Sequence, residues 1–290
     1  YLIAPQFGFK SKNLVGIAEA LYVVLPKNKI KQLKIGASFK SFAHPGQFQS
    51  RFFGITPYLK VIFGDRSKKK TFLSFAEVKG VWQGDFSKNL ALYQNNYGFR
   101  AKYLFQKEFK NTSFMIAPSL TYYEQSTENE EGFDIDRMLR AELNTRFNVK
   151  YRLGNMKRSL SFNAYIGKNV VSKLTTFDNY HQNLSMTGVD GGRDLFLEQY
   201  YFDRGGVQQQ IDGMGNFYST SSVGTNRNWV ASFNTYLAIP INPNLFGLFY
   251  NQGLYPSFEK IEYVSNAGLA IRVGDIFGVY FPLLRSQNMG

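Results

Sequence analysis

Apolar and polar residues alternate with a period of two along most of this chain. The clearest stretch runs from Met138 to Leu153. Leu139, Ala141, Leu143, Thr145, Phe147, Val149, Tyr151 and Leu153 take one set of positions. Met138, Arg140, Glu142, Asn144, Arg146, Asn148, Lys150 and Arg152 take the other. In an extended chain successive side chains point to opposite faces, so the two sets lie on opposite sides of a strand. A helix would align Leu139, Leu143, Phe147 and Tyr151 but leave Ala141, Val149 and Leu153 without a face. The spacing therefore predicts a strand.

The alternation recurs. Leu33, Ile35, Ala37 and Phe39 carry it, as do Tyr97, Phe99, Ala101, Tyr103 and Phe105, with Leu104 breaking the rule. So do Leu160, Phe162, Ala164 and Ile166, then Trp229 to Ile239, then Tyr263 to Ile271. In all, the pattern predicts about 15 strands. They lie near Leu2–Phe9, Leu14–Leu25, Leu33–Ala43, Phe52–Phe63, Phe72–Trp82, Tyr97–Phe105, Phe114–Gln125, Met138–Leu153, Leu160–Val170, Leu195–Phe202, Gly213–Thr220, Trp229–Ile239, Leu245–Leu254, Ile261–Val273 and Phe277–Leu284. Pro57, Pro118 and Pro282 fall inside strands, where each removes a ladder donor.

These segments are long, roughly 9 to 15 residues against about 5 to 6 in globular proteins. A tilted strand crossing a bilayer needs about 9 to 11. A soluble sandwich or a lipocalin-like barrel also alternates. Strand length, aromatic ends and a second face rich in Arg, Lys, Asn and Gly favour lipid outside and a wet lumen. The expected fold is all-β: one antiparallel transmembrane β-barrel over residues 1–290, with about 14 to 16 strands visible. In lipid every backbone donor and acceptor must be paired, so the sheet must close. An odd count and a polar ending at Ser286–Gly290 lead to the expectation of further strands beyond Gly290 and before Tyr1.

The connections alternate in character. Pro26–Lys31, Asp65–Lys70, Lys107–Asn111, Gly154–Arg158, Pro240–Asn244 and Val273–Asp275 are short and often basic. His44–Arg51, Gly84–Asn96, Ser126–Asp136 and Val171–Arg193 are longer. Outer-membrane barrels have short periplasmic turns and long extracellular loops. Lys10–Asn13 is an exception, and the alternation continues to the end only if Leu195–Phe202 is a strand.

Composition narrows the chemistry. The chain has 290 residues, 44% hydrophobic and 17% aromatic, too apolar to be disordered. It has no cysteine, hence no disulfide, thiolate metal site or thiol nucleophile. Its two histidines, His44 and His181, lie far apart and outside any ligand-spaced motif. No run of about 18 uncharged apolar residues offers a membrane helix, and no signal peptide is visible. The net charge of +13 is spread over turns and polar faces, not gathered into a basic stripe with stacking aromatics, so no nucleic-acid partner is expected. Lys68, Lys69 and Lys70 read as a solvated turn.

Few residues suggest a site. Glu128, Glu130, Glu131, Asp134 and Asp136 cluster as carboxylates that suit Ca²⁺, but without EF-hand spacing they read as a solvated extracellular loop. Gly188 to Gly192 read as a tight turn, without the βαβ context of a dinucleotide loop. Gln208, Gln209 and Gln210 read as loop polarity, with a lumen or plug contact as the sharper alternative. Glu142 between Arg140 and Arg146 reads as a ladder of lumen charges. No catalytic, cofactor or metal residues are assigned, and no cofactor is expected in this stretch.

Tyr1-Leu2-Ile3-Ala4-Pro5 followed by Phe9 to Gly16, Gly192 to Phe196 with Tyr200 to Arg204 and Gln208-Gln209, and Phe277 to Leu284 carry a resemblance. They resemble the carboxy-terminal barrel of Bacteroidetes outer-membrane proteins that bear an M1-type, aminopeptidase-like metallopeptidase domain upstream. The resemblance implies that a zinc-binding H-E-x-x-H motif lies in that upstream domain, so no catalytic residue falls here. It implies a barrel that anchors a peptidase domain at the bacterial outer membrane, contacting lipid and lipopolysaccharide. The alternatives are a non-enzymatic barrel subunit of a secretion, insertion or nutrient-uptake complex, with other outer-membrane proteins as partners, and a porin-like channel.

Overall fold

Aromatic and β-branched residues at alternate positions fit a pleated surface with one apolar side, and strands form where the pattern places them. The computed structural model describes residues 2–3, 6–10, 13–25, 30–43, 50–64, 72–87, 94–129, 132–153, 156–173, 184–186, 217, 225–239, 245–257, 260–273 and 277–286. The strands are β1 (Leu2–Ile3), β2 (Gln6–Lys10), β3 (Asn13–Val24), β4 (Ile30–Ala43), β5 (Ser50–Phe63), β6 (Phe72–Ser87), β7 (Gln94–Glu108) and β8 (Thr112–Asn129). They continue with β9 (Gly132–Leu153), β10 (Met156–Lys173), β11 (Leu184–Ser185), β12 (Thr225–Asn226), β13 (Trp229–Ala238), β14 (Phe246–Pro256), β15 (Ile261–Val273) and β16 (Phe277–Arg285).

Fourteen of these strands form one antiparallel sheet in which chain neighbours are sheet neighbours. β1 and β2 pair with β3 in a single register and form two ends of one stave. The expected all-β antiparallel barrel fold is therefore present. Among the described residues no pairing joins β16 to the β1/β2 edge.

Burial is inverted relative to a soluble domain. On one face Ile35, Leu59, Phe99, Leu120, Phe147, Ile166, Leu248 and Leu269 are exposed. On the other Asn96, Gln125, Arg140, Asn163, Ser232, Asn234, Asn251 and Asn266 are buried. Strand β13 shows it residue by residue: Val230, Ser232, Asn234, Tyr236 and Ala238 are buried, while the residues between them are less so. The apolar set read from the sequence is thus the outer face, and the polar set is the inner one. Outer-face aromatics stack along the sheet, with Phe162 and Phe233 at 6.0 Å between ring centroids.

Several strands outrun their predicted bounds. β8, β9 and β10 have 18, 22 and 18 residues. The predicted loop Ser126–Asp136 is mostly strand, and only 130–131 separate β8 from β9. The backbone ladder continues there although the side chains turn polar, so a hydrophobic pattern stops short of the hydrogen bonding. The loop-length asymmetry correspondingly shrinks, and it rests chiefly on the segment between β10 and β12.

That segment holds the other correction. β10 pairs directly with β13, and both edges of each are occupied, by β9 and β14. No strand fits between them in the sheet. The predicted strand Leu195–Phe202, and Gly213–Thr220 apart from Phe217, lie outside the described residues; Phe217 is not in a strand. The alternation of the two ends survives without them, because removing two strands together leaves the direction of β13 unchanged. The prolines act as expected. The β5–β6 ladder is interrupted at Thr56–Pro57, the β7–β8 ladder at Ala117–Pro118, and the β15–β16 register shifts beside Pro282.

Candidate functional site

The inner face carries the chemistry. Across β9, β10, β13, β14, β15 and β16 one transverse row reads Arg146, Asn163, Asn234, Asn251, Asn266, Arg285, each residue the direct register partner of the next. Arg146 Nε donates to Asn163 Oδ1 at 2.8 Å. Asn251 Nδ2 donates to Asn266 Oδ1 at 2.6 Å. Side chains directly opposite on adjacent strands lie within hydrogen-bonding reach, and an amide offers both donor and acceptor to a like neighbour. Asn163, Asn234, Asn251 and Asn266 are buried, so the middle of the row is a buried polar seam.

The other half of the inner face is ionic. One row runs Lys34, Lys60, Glu77, Lys102, Ser119, Glu142 from β4 to β9. The next runs Tyr58, Lys79, Arg100, Thr121, Arg140, Asn169 from β5 to β10. Glu77 is a hub, with Lys60 Nζ at 3.3 Å and Lys79 Nζ and Arg100 Nη2 each at 3.8 Å. Lys60 Nζ also sits 3.8 Å from the Phe75 ring centroid.

Arg140, Glu142 and Arg146 do share one face of β9, as the alternation requires. Arg140 Nη2 donates along β9 to Met138 Sδ at 3.3 Å, and further hydrogen bonds of the three cross to neighbouring strands. Glu142 accepts from Tyr165 Oη at 2.8 Å and from Ser119 Oγ at 3.3 Å. Arg140 Nε donates to Asn169 Oδ1 at 3.0 Å. In an extended strand alternate side chains on one face stand about 7 Å apart, whereas cross-strand neighbours are nearer.

A third feature closes over this surface. Leu184, Met186 and Phe217, from the segment between β10 and β13, are fully buried against the inner-face residues Tyr165, Val230 and Val264. Phe217 N donates to Met186 O at 2.9 Å. β11, which carries Leu184, pairs with β12 as a short antiparallel two-stranded sheet. Its β12 side is tied to the sheet. Asn226 Nδ2 donates to Pro256 O at 2.6 Å, and Asn169 Nδ2 donates to Arg227 O at 2.5 Å. Two glycines make the room. A Cβ at Gly167 would lie 2.7 Å from Leu184 Cδ2, and one at Gly253 would overlap Met186 Sδ. This inward anchor was missed in the sequence. Its one local signal is Leu184 and Met186 at period two inside a segment read as a solvated loop.

The remaining sequence candidates disperse. Glu128 pairs with Phe133 in register, while Asp134 and Asp136 fall on the alternate positions of β9. The carboxylates are therefore divided between two faces, and Asp136 is buried instead of solvated. Among the described residues no three His, Cys, Asp or Glu are grouped to hold a metal. Glu130, Glu131, His44, His181, Lys68 to Lys70, Gly188 to Gly192 and Gln208 to Gln210 lie outside the described residues. The surface that is described offers ionic and hydrogen-bonding contacts.

No family model matches the chain, and no curated protein is similar to it. Among solved structures it is similar to CdiB from Acinetobacter baumannii, at 12% identity and a TM-score of 0.45, over 96% of this chain and 48% of that one. The chain thus spans about half the length of that structure.

Proposed function

We propose that this chain is the membrane wall of a bacterial outer-membrane β-barrel whose inner face is covered in part by Leu184, Met186 and Phe217 from its own β10–β13 connection, and that it works as a barrel subunit of a secretion, insertion or nutrient-uptake complex. Inverted burial supports the membrane part. Exposed aliphatic and aromatic residues on the outer face would cost stability in water and fit lipid and lipopolysaccharide. One observation carries the subunit part: Leu184, Met186 and Phe217 packed on the inner face, where an open diffusion pore would hold water. The full-length protein reconstituted in planar bilayers is expected to stay silent, and in mild detergent to co-purify with other outer-membrane proteins. Steady porin-like conductance from a solitary barrel would refute it.

A second reading is favoured by the resemblance of residues 1–16, 192–209 and 277–284 to peptidase-bearing barrels. In it the barrel anchors an upstream metallopeptidase domain. Intact mass with peptide mapping separates the two. A mass far above 33.2 kDa, with peptides containing H-E-x-x-H, supports the anchor. A mass near that value removes it.

A further inference from the structure

The ionic half of the inner face is unbalanced where β4 to β7 meet. Lys34 and Lys60 are direct register partners, and so are Lys79 and Arg100. Like charges directly opposite on neighbouring strands destabilise a sheet. Lys102 stands beside them, opposite Glu77. Within these two rows, from β4 to β7, five cations therefore surround one carboxylate, a surplus of four positive charges there; Glu108, on the same face, stands at the far end of β7. The patch measures about 15 Å across the strands by about 7 Å along them. Glu77 accounts for the placing of three cations, at 3.3 to 3.8 Å, yet neutralises only one charge.

The lysines are also held in place. Lys60 Nζ lies over the Phe75 ring at 3.8 Å, and Lys79 Nζ lies 5.7 Å from the Tyr58 ring centroid. Such contacts restrict long side chains that would otherwise spread apart to relieve repulsion. Their side chains are largely enclosed, at 25% exposure for Lys60 and 16% for both Lys79 and Arg100. A concave wall of one sign with low dielectric behind it concentrates counter-ions.

From this juxtaposition we propose that the β4–β7 inner wall is a binding site for a soluble, multiply charged phosphate-bearing anion. A single carboxylate would leave most of the surplus in place. A phosphate group brings up to two negative charges and three acceptor oxygens, enough to bridge ammonium groups on neighbouring strands. The site faces away from the lipid-facing surface, so the ligand is a solute, not a headgroup. The proposal rests on the inner face being the lumen of a folded barrel.

The test uses the full-length protein in detergent micelles, with inorganic pyrophosphate as the probe, by isothermal titration calorimetry. Heat-modifiable gel migration is recorded in parallel as an independent report of the folded barrel. Pyrophosphate is expected to bind, with affinity falling as salt rises. Lys34→Gln, which leaves the three ion pairs of Glu77 untouched, is expected to weaken binding about tenfold, a loss typical of one desolvated charge pair. Lys150→Gln, on the same face of β9 but away from the patch, is expected to change nothing. A folded barrel that binds no pyrophosphate, or binds it equally after Lys34→Gln, overturns the site while leaving the barrel standing. Tighter binding of dihexanoylphosphatidate than of pyrophosphate overturns the soluble source. Loss of heat-modifiable migration in the unmodified protein overturns site and barrel together.

Discussion

Gly253→Ala should release the inward anchor. The added methyl would occupy the space of Met186 Sδ and come within 3.1 Å of Ala231 O. The backbone of β13 cannot yield without breaking its ladder, so Met186 must leave. Met186 is fully buried, and exposing a methionine of that kind costs about 1.5–3 kcal/mol. That shifts the ratio of released to docked anchor by about 10- to 100-fold. The chain has no cysteine, so Leu184→Cys supplies a unique thiol in a fully buried position. Maleimide labelling of Leu184→Cys, in micelles, with and without Gly253→Ala, reads the released fraction directly. The rate should rise by the same 10- to 100-fold while heat-modifiable migration persists. An unchanged labelling rate would show that Met186 does not hold the segment against the sheet.

Other expectations follow from the same contacts. Tyr165→Phe removes the donor that Glu142 accepts at 2.8 Å; urea unfolding in micelles should show a loss of about 1.5–3 kcal/mol, and a loss under 0.5 kcal/mol would discount that bond. Asn251→Leu deletes the 2.6 Å donation to Asn266 Oδ1, so it should cost about 1–3 kcal/mol in the same assay, and no change would discount that bond. Phe147→Arg on the outer face should cost about 2–4 kcal/mol in lipid if that position lies near the bilayer midplane, and a neutral result in liposomes would argue against a lipid-facing surface there.

The faces of the sheet were legible in the sequence because a strand's two-residue period writes them into every stave. Phe99, Phe147, Leu269 and their partners fall on the exposed side the alternation assigns, and Arg140, Asn163 and Asn266 on the buried side. Strand ends were less legible. β9 begins at Gly132, not Met138, because Arg137 interrupts the apolar face without interrupting the ladder. The inward anchor was not legible at all. Leu184, Met186 and Phe217 gain their burial from slots at Gly167 and Gly253 and from Val264, on three different strands. No local window contains those partners. The ionic patch lay between these cases. Each lysine was visible as an inner-face residue, but the opposition of Lys34 to Lys60 is a fact of register.

Register is also what the asparagine row protects. A slip of one residue between two strands exchanges the faces of every side chain beyond it. In a soluble sheet such a slip would bury polar groups and expose apolar ones. Here it would carry Asn163, Asn234, Asn251 and Asn266 from the inner face to the side where Leu248, Leu269 and Ile166 now stand. Moving an amide into a medium that cannot hydrogen-bond costs about 4–8 kcal/mol at the extreme of hydrocarbon. Even a fraction of that for one strand's asparagine exceeds the few tenths to 1 kcal/mol that a cross-strand pair contributes. The four asparagines sit in successive strands at one level, so a slip anywhere between β10 and β15 also breaks the row's alignment. Gly247 and Gly253 narrow the choice further, since only in this register do Tyr236 and Met186 lie over positions without a Cβ. The inner face therefore selects the pairing, and the outer face, whose aliphatic and aromatic residues tolerate any apolar neighbour, does not.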